Sequence, residues 1–300
     1  MRALFDDPTR ILDAHVHYYD VSVPEGQGQS PERHWLDPSF VHWTLGDLNA
    51  FRGARFMPAE LRAQGHQSNV GGAIHVQASR HYADPVEETR WLTEYADTPD
   101  MPLLAIIAHA PMAAADCEAV LDRHAEFPLV RGIRDFAANT HLDDPSFRRG
   151  LALLAARDWC FEWDAQWQLA EEIVALAAAV PDLRLILEHS AFPPDPGPER
   201  DAWRAALGQL AECENIAIKL SGWSVTPRLW TAADGLEMMG ACLDAFGTER
   251  VFFGSNWPFG MLTSSFRDVV DAFELGLADL SSDERHRLRS QAALHWYGIR

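Results

Sequence analysis

Short apolar runs punctuate this chain at regular intervals, and between them lie longer stretches with helical spacing of apolar residues. The runs that read as strands are Ile11–His17, Ala73–Gln77, Leu103–His109, Val130–Arg134, Cys160–Asp164, Arg184–His189, Asn215–Leu220 and Arg250–Ser255. The amphipathic stretches are Pro85–Ala96, Ala113–Glu126, Ser146–Arg157, Gln166–Ala179, Asp201–Cys213, Ala232–Phe246 and Phe266–Leu277. Eight strands, each followed by a helix, predict a (β/α)8 barrel of the α/β class. An open doubly wound sheet would want a glycine-rich turn after the first strand, where this chain has His15, His17 and Tyr18. The segment Ser282–Tyr297 reads as a closing helix capped by Ser282. Residues 1–300 are read as one barrel domain.

Two connections break the rhythm. The first, about 18–72, carries proline, glycine and the aromatics Trp35, Phe40, Trp43, Phe51 and Phe56. Long loops in compact domains are usually functional, and barrel enzymes keep theirs on the catalytic face. The second, Phe192–Pro198, is rich in proline and follows the sixth strand, so it too is expected to overhang the mouth.

Composition narrows the partners. A net charge of −19 argues against nucleic-acid phosphate or an anionic membrane surface. Cys117, Cys160, Cys213 and Cys242 are scattered and form no CxxC pair, which fits a reducing compartment. Met1 to Pro8 hold charges and no apolar run, and no stretch is long enough to span a bilayer, so a cytoplasmic location is expected. Lys219 is the sole lysine.

Barrel chemistry sits at the carboxyl ends of strands. Reading those ends in turn gives His15 and His17; His75 and Gln77; His109; Arg131, Arg134 and Asp135; Glu162 and Asp164; Glu188 and His189; Lys219 and Ser221; Ser255 and Asn256. Five of the 13 histidines fall there, more than chance solvation of strand ends would supply. Residues two apart on a strand share a face, so His15 and His17 form half of a metal site. Arg134, nearest the mouth, is expected to grip an anionic group, with Arg131 a weaker second; His75 is expected to touch substrate and His109 to be structural.

The pieces Asp13-Ala14-His15-Val16-His17, His75-Val76-Gln77-Ala78, Arg131-Gly132-Ile133-Arg134, Glu188-His189-Ser190, Lys219-Leu220-Ser221-Gly222 and Gly254-Ser255-Asn256-Trp257-Pro258 together resemble the amidohydrolase superfamily. The branch is the amidohydrolase-2 one, which includes sugar lactonases and 2-pyrone-4,6-dicarboxylate lactonase. The resemblance implies a somewhat distorted (β/α)8 barrel with a site of His15, His17 and His189 that binds metal or polarises a carbonyl, and with the residue at 256 handling the attacking water. In the family pattern that residue is an aspartate. Here it is Asn256, an amide that cannot serve as a base at neutral pH. Asp164, Glu162 and His189 are the candidates for that role, with Asp164 expected to fill it. The family's strand-four lysine and strand-five histidine are missing, which implies at most one divalent ion, zinc or manganese, or a metal-free site. The reading is a hydrolase of a small anionic or polyhydroxylated lactone or related ester. Two alternatives stay open: an aromatic-acid decarboxylase or hydratase on the same fold, and a degenerate barrel that binds a ligand without turning it over.

Overall fold

The computed structural model describes residues 2–22, 41–42, 46–51, 53–65, 68–78, 84–223 and 231–300. Eight parallel strands run in chain order around a barrel: β1 (Ile11–Val16), β2 (Val70–Val76), β3 (Leu103–His109), β4 (Val130–Arg134), β5 (Cys160–Trp163), β6 (Leu185–Leu187), β7 (Ile216–Leu220) and β8 (Val251–Phe253). The seam between β8 and β1 closes through residues just past the strand: the Asn256 N–H donates to the His15 carbonyl at 2.9 Å, and the His17 N–H to the Trp257 carbonyl at 2.8 Å. The barrel expected from the apolar rhythm is the barrel observed.

Outside the strands lie α1 (Pro58–Gly65), α2 (Glu87–Thr93), α3 (Cys117–His124), α4 (Pro145–Ala156), α5 (Ala170–Ala179), α6 (Glu199–Ala211), α7 (Ala232–Phe246) and α8 (Phe266–Gly276). Helix α1 arises inside the first long connection; it buries only Pro58, Leu61 and Gly65 and so carries little apolar periodicity to be read from the chain. Strand β2 begins at Val70 rather than Ala73. Its glycines read as loop, yet a Cβ at Gly72 would fall 2.6 Å from the Leu104 side chain and 3.2 Å from Phe5, so any larger residue would have to displace Leu104. The closing helix is broken into α9 (Ser282–His286), a π turn over Arg287–Gln291 and α10 (Ala292–Trp296). Its cap is Ser281, not Ser282: the Ser281 hydroxyl accepts from the Glu284 N–H while the Glu284 carboxylate accepts from Ser281.

Two apolar clusters show which way each strand faces. Leu12, Ala14, Ile74, Val76, Cys160, Ile186, Ala217 and Phe252 meet across the lumen, with Phe5 and Tyr297 among them. Ala73, Ile133, Phe161, Leu187, Ile218 and Phe253 face outward against the helices. Strand alternation then sends Arg134, Glu162, Glu188 and Lys219 inward and His75 outward.

Strand β1 departs from that alternation. Its pairing with β2 runs Asp13 to Ala73 and then Val16 to His75, so one extra residue is taken up on β1. Such a bulge changes the phase of a strand and re-aims the side chains beyond it. Ala14 lies inward before the bulge and Val16 outward after it, which leaves His15 and His17 both facing the lumen.

Candidate active site

His15 and His17 meet at the mouth, their Nε2 atoms 3.0 Å apart. His17 gives its Nδ1 proton to the Val76 carbonyl at 2.9 Å, so its Nε2 carries a lone pair. Asn256 Oδ1 lies 3.2 Å from that same nitrogen. His189 brings its ring within 4.8 Å of the His15 ring, centre to centre. The three histidines and Asn256 therefore share one small volume, as the order of motifs along the chain leads one to expect.

Local backbone puts them there. Strand β6 ends in a left-handed turn in which His189, Ser190, Ala191 and Phe192 have φ of 54°, 53°, 56° and 56°. Non-glycine residues pay about 1–2 kcal/mol each for that conformation, and such strain gathers at functional sites. The turn swings the His189 imidazole over the barrel against Gly222, where a Cβ would sit 2.7 Å from the ring. Gly254 makes the matching space for His15, since a Cβ there would lie 2.6 Å from that of His15. The two glycines are cradles for imidazoles. Ser221 completes the seat of His189: its Oγ accepts from the His189 N–H at 3.1 Å and lies 2.8 Å from Nδ1, leaving Nε2 toward the lumen.

Two ion pairs underlie the cluster. Arg134 Nη1 donates to both carboxylate oxygens of Glu188, at 3.1 and 2.9 Å, and its Nη2 donates to the Gln77 carbonyl. Lys219 Nζ lies 2.6 Å from Glu162. All four side chains are buried. Burial alone would raise the Glu188 carboxyl, but Arg134, His189 and Lys219 hold it below its ordinary value. Burial raises Glu162 to about 7 against the pull of Lys219. Burial and the nearby Lys219 and Arg134 charges hold His15 and His17 well below the usual imidazole range. Burial takes His189 down to about 4, with Glu188 opposing. Burial likewise lifts Asp13 to about 6; its Oδ1 accepts from the His15 and Ser255 N–H groups at 3.2 and 2.8 Å and so ties the bulge to the end of β8.

Several expected roles change. Arg134 faces inward as expected, but Glu188 already takes its charge, so the anion grip is replaced by an internal ion pair. Arg131 is not at the mouth: it opens β4, points outward and bonds the Pro128 and Val130 carbonyls through Nη1. His75 is not a substrate contact either. It faces the helices, accepts from the Tyr18 N–H at 3.1 Å and sets Nε2 3.6 Å from the Glu88 carboxylate. Asp164 lies one residue beyond β5, half-buried, its carbonyl accepting from Asn139 at 2.9 Å. Sequence reasoning placed Glu188 and Lys219 at strand ends but gave neither a role. The signal was present in both cases, because a charge at the end of an apolar run facing a closed barrel must be paired.

The mouth is roofed in part by aromatic residues. Phe259 lies 5.1 Å from the His17 ring and packs with Tyr19, Val21, Leu48 and Phe51 from the first long connection. Phe192 lies edge-on to His189 at 5.1 Å and, with Trp167 and Pro193 to Pro198, borders a groove of about 700 Å³. Trp35, Phe40 and Trp43 fall outside the described side chains.

The donor set suits one divalent ion. Two imidazole nitrogens on a tetrahedral zinc are about 3.3 Å apart, given bonds near 2.0–2.1 Å, and those of His15 and His17 are 3.0 Å apart. His15, Glu188 and His189 also group with ligand atoms all within 4.8 Å of one another. Ligation by His15 through Nε2 needs its ring proton on Nδ1, the atom that faces Lys219 at 3.3 Å.

The amidohydrolase family model matches residues 12–299. An L-fucono-1,5-lactonase of Burkholderia ambifaria is 27% identical over 309 residues, spanning 96% of this chain and 95% of that protein. An L-fucono-1,5-lactonase of Burkholderia multivorans is 29% identical over 264 residues, spanning 81% of this chain and 86% of that protein. A crystal structure of an amidohydrolase from Burkholderia multivorans with bound zinc superposes with a TM-score of 0.80 at 25% identity, over 97% of this chain and 100% of that one. With nearly its whole length covered by the family pattern and the histidine cluster at the mouth of its barrel, this chain belongs to the amidohydrolase family.

Proposed function

We infer that this protein is a hydrolase that opens a small, uncharged, polyhydroxylated lactone by attack of water on the ring carbonyl. Kinship with sugar lactonases supports the reaction class. The observation that selects among lactones is the pairing, among the described residues, of the two cations under the histidines: Arg134 is spent on Glu188 and Lys219 on Glu162, so neither greets a substrate carboxylate as a free cation. This reading favours hydroxyl-bearing over dicarboxylate lactones.

In this reading Asn256 Oδ1 and His189 Nε2, both acceptors, take the two hydrogen bonds of the attacking water and aim its lone pair at the carbonyl carbon. His189, neutral at pH 7, accepts the water proton on Nε2 as the new C–O bond forms. It returns that proton to the ring oxygen as the lactone C–O bond breaks, which yields the hydroxy acid. Asn256 orients and does not deprotonate. His17, His189 and Asn256, joined by His15 whenever its Nε2 is free of its proton, would hold one divalent ion, zinc or manganese; their Nε2 lone pairs would then be spent on the ion, which would supply Lewis-acid polarisation of the carbonyl in place of the base role of His189.

A panel of aldonolactones, pyrone dicarboxylate and hydroxylated benzoates, followed by acid release and by carbon dioxide release, tests the reading. Turnover is expected on neutral lactones, with acid released and no gas. Carbon dioxide from a benzoate with no lactone opened would overturn it in favour of decarboxylation.

A further inference from the structure

Beneath His15 lies a chain of buried polar groups that the reaction above does not use. Tyr297, near the end of the chain, extends through the apolar floor of the barrel and donates its hydroxyl to Glu162 Oε1. Glu162 Oε2 accepts from Lys219 Nζ at 2.6 Å. Lys219 Nζ also lies 2.7 Å from the Ala14 carbonyl and 3.3 Å from His15 Nδ1. All four side chains in this series are fully buried.

An ammonium group has three protons and no lone pair. Those of Lys219 are matched by Glu162, Ala14 and His15, so at the last contact His15 Nδ1 is the acceptor. A neutral imidazole that accepts at Nδ1 carries its proton on Nε2. That proton faces His17 Nε2 at 3.0 Å, and His17 has already committed its own proton to Val76. Each donor in the series from Tyr297 to Val76 thus meets an acceptor. The bulge contributes as well, because it leaves the Ala14 carbonyl free to bind Nζ while His15 turns inward.

We propose that Lys219, held from below by Glu162 and Tyr297, is a positioning residue that keeps His15 as an Nε2–H donor. His15 therefore meets a substrate oxygen as a hydrogen-bond donor, sharing with it the proton that otherwise rests on His17, and it is withheld from metal until Lys219 lets go of Nδ1. The role toward substrate rests on the lactonase reading; the hold on the tautomer does not. With Lys219 in place the His15 proton also covers the His17 lone pair, so His189 and Asn256 are the ligands of this group left for an ion.

Two measurements test this without recourse to turnover. In the intact protein, long-range proton–nitrogen NMR of the His15 ring is expected to show Nε2 protonated and Nδ1 bare; the reverse would overturn the proposal. In zinc titrations by calorimetry, Lys219→Met is expected to bind at least ~10-fold more tightly than the parent, because His15 can then move its proton to Nδ1 and offer Nε2 as a further ligand. Affinity that is unchanged or weaker would overturn it. Since Lys219→Met strands a buried carboxylate, Glu162→Gln/Lys219→Met is measured beside it and is expected to show the same gain. Failure to open any lactone would count against the proposed reaction and leave both readouts intact.

Discussion

The outer and inner faces of this barrel bury histidines under opposite circumstances. On the outer face, His124 of α3 lies between Thr89 Oγ1 at 3.1 Å and the His109 carbonyl at 2.8 Å, one partner for each nitrogen. His75 accepts from the Tyr18 N–H on Nδ1, and its Nε2, 3.6 Å from the Glu88 carboxylate, makes no hydrogen bond among the described residues. On the inner face, His17 Nε2 lies beside Asn256 Oδ1, an acceptor beside an acceptor, and His189 Nε2 is 3.9 Å from Glu188. Burial is nearly complete in both places, so burial alone does not mark the site. What differs is what the ring nitrogens face. An imidazole clamped by fixed groups of the fold, as His124 is by Thr89 and the His109 carbonyl, serves the fold. One that is anchored through Nδ1 and leaves Nε2 toward the lumen is set for chemistry.

The sharpest way to break this contrast is to remove an inner ring. His189→Gln keeps a polar side chain of similar reach and removes the proton acceptor. It is expected to lower kcat by ~10²- to 10⁴-fold, the usual worth of general acid–base catalysis, with KM little changed. Asp164→Asn is its counterpart and is expected to stay within a few-fold of the parent, on the order of a weak hydrogen bond. Steady-state kinetics on the best lactone of the panel decide between them. A large loss in Asp164→Asn with near-normal His189→Gln would move the base to β5.

The strand ends could be read from the chain because strand periodicity is local. Apolar runs that finish in His, Glu, Arg or Asn gave the barrel, and the order of motifs placed His15, His17, His189 and Asn256 together. The bulge in β1 was not legible. Alternation tells which residues share a face only while the strand is regular, and nothing local marks where Ala14 and His15 take up an extra residue. The outward turn of His75 was missed because its position at a strand end was weighed above the parity that Ala73 shares with it. The pairing of Arg134 with Glu188 spans 54 residues and that of Lys219 with Glu162 spans 57, and such distances leave no local trace. The left-handed turn at His189 was invisible for another reason: none of its four residues is a glycine, the residue type that signals such backbone.

A smaller effect is expected when the comparison is made through pH. Burial lowers His124 to about 4, against the help of the His109 carbonyl. The unfolded chain binds this proton near 6.5 while the folded protein does not, so stability falls as pH drops from about 6.5 toward 4, by up to about 1.4 kcal/mol per pH unit. Arg123, Asp84 and His109 are the charged or titratable groups nearest it, and none is altered by His124→Gln. That variant keeps a donor for the His109 carbonyl and loses the titration. Urea unfolding between pH 7 and 4 is expected to give a shallower acid slope for His124→Gln than for the parent. Parallel slopes would mean that His124 is protonated in the fold, and that the outer face is less settled than its hydrogen bonds imply.

The smallest effect belongs to the residue whose placement moved furthest. Arg131 and Arg134 share a strand and lie three apart, so one faces out where the other faces in. Arg134 binds Glu188 under the histidines. Arg131 stands at the opposite end of β4, half-buried, with Nη1 on two backbone carbonyls, and burial lowers its guanidinium somewhat from the ordinary value. Replacing it by glutamine leaves a neutral donor of shorter reach near the same carbonyls. The cost is expected to be about 1 kcal/mol or less, the net worth of ordinary hydrogen bonds near the surface. No catalytic parameter should move, since the apolar floor of Phe5, Leu12 and Ile74 lies between Arg131's end of the barrel and the mouth. A kcat/KM shift of more than about twofold in Arg131→Gln, against a normal unfolding midpoint, would show that the floor transmits strain to the mouth. The division between a face that builds and a face that reacts would then fail at its simplest point.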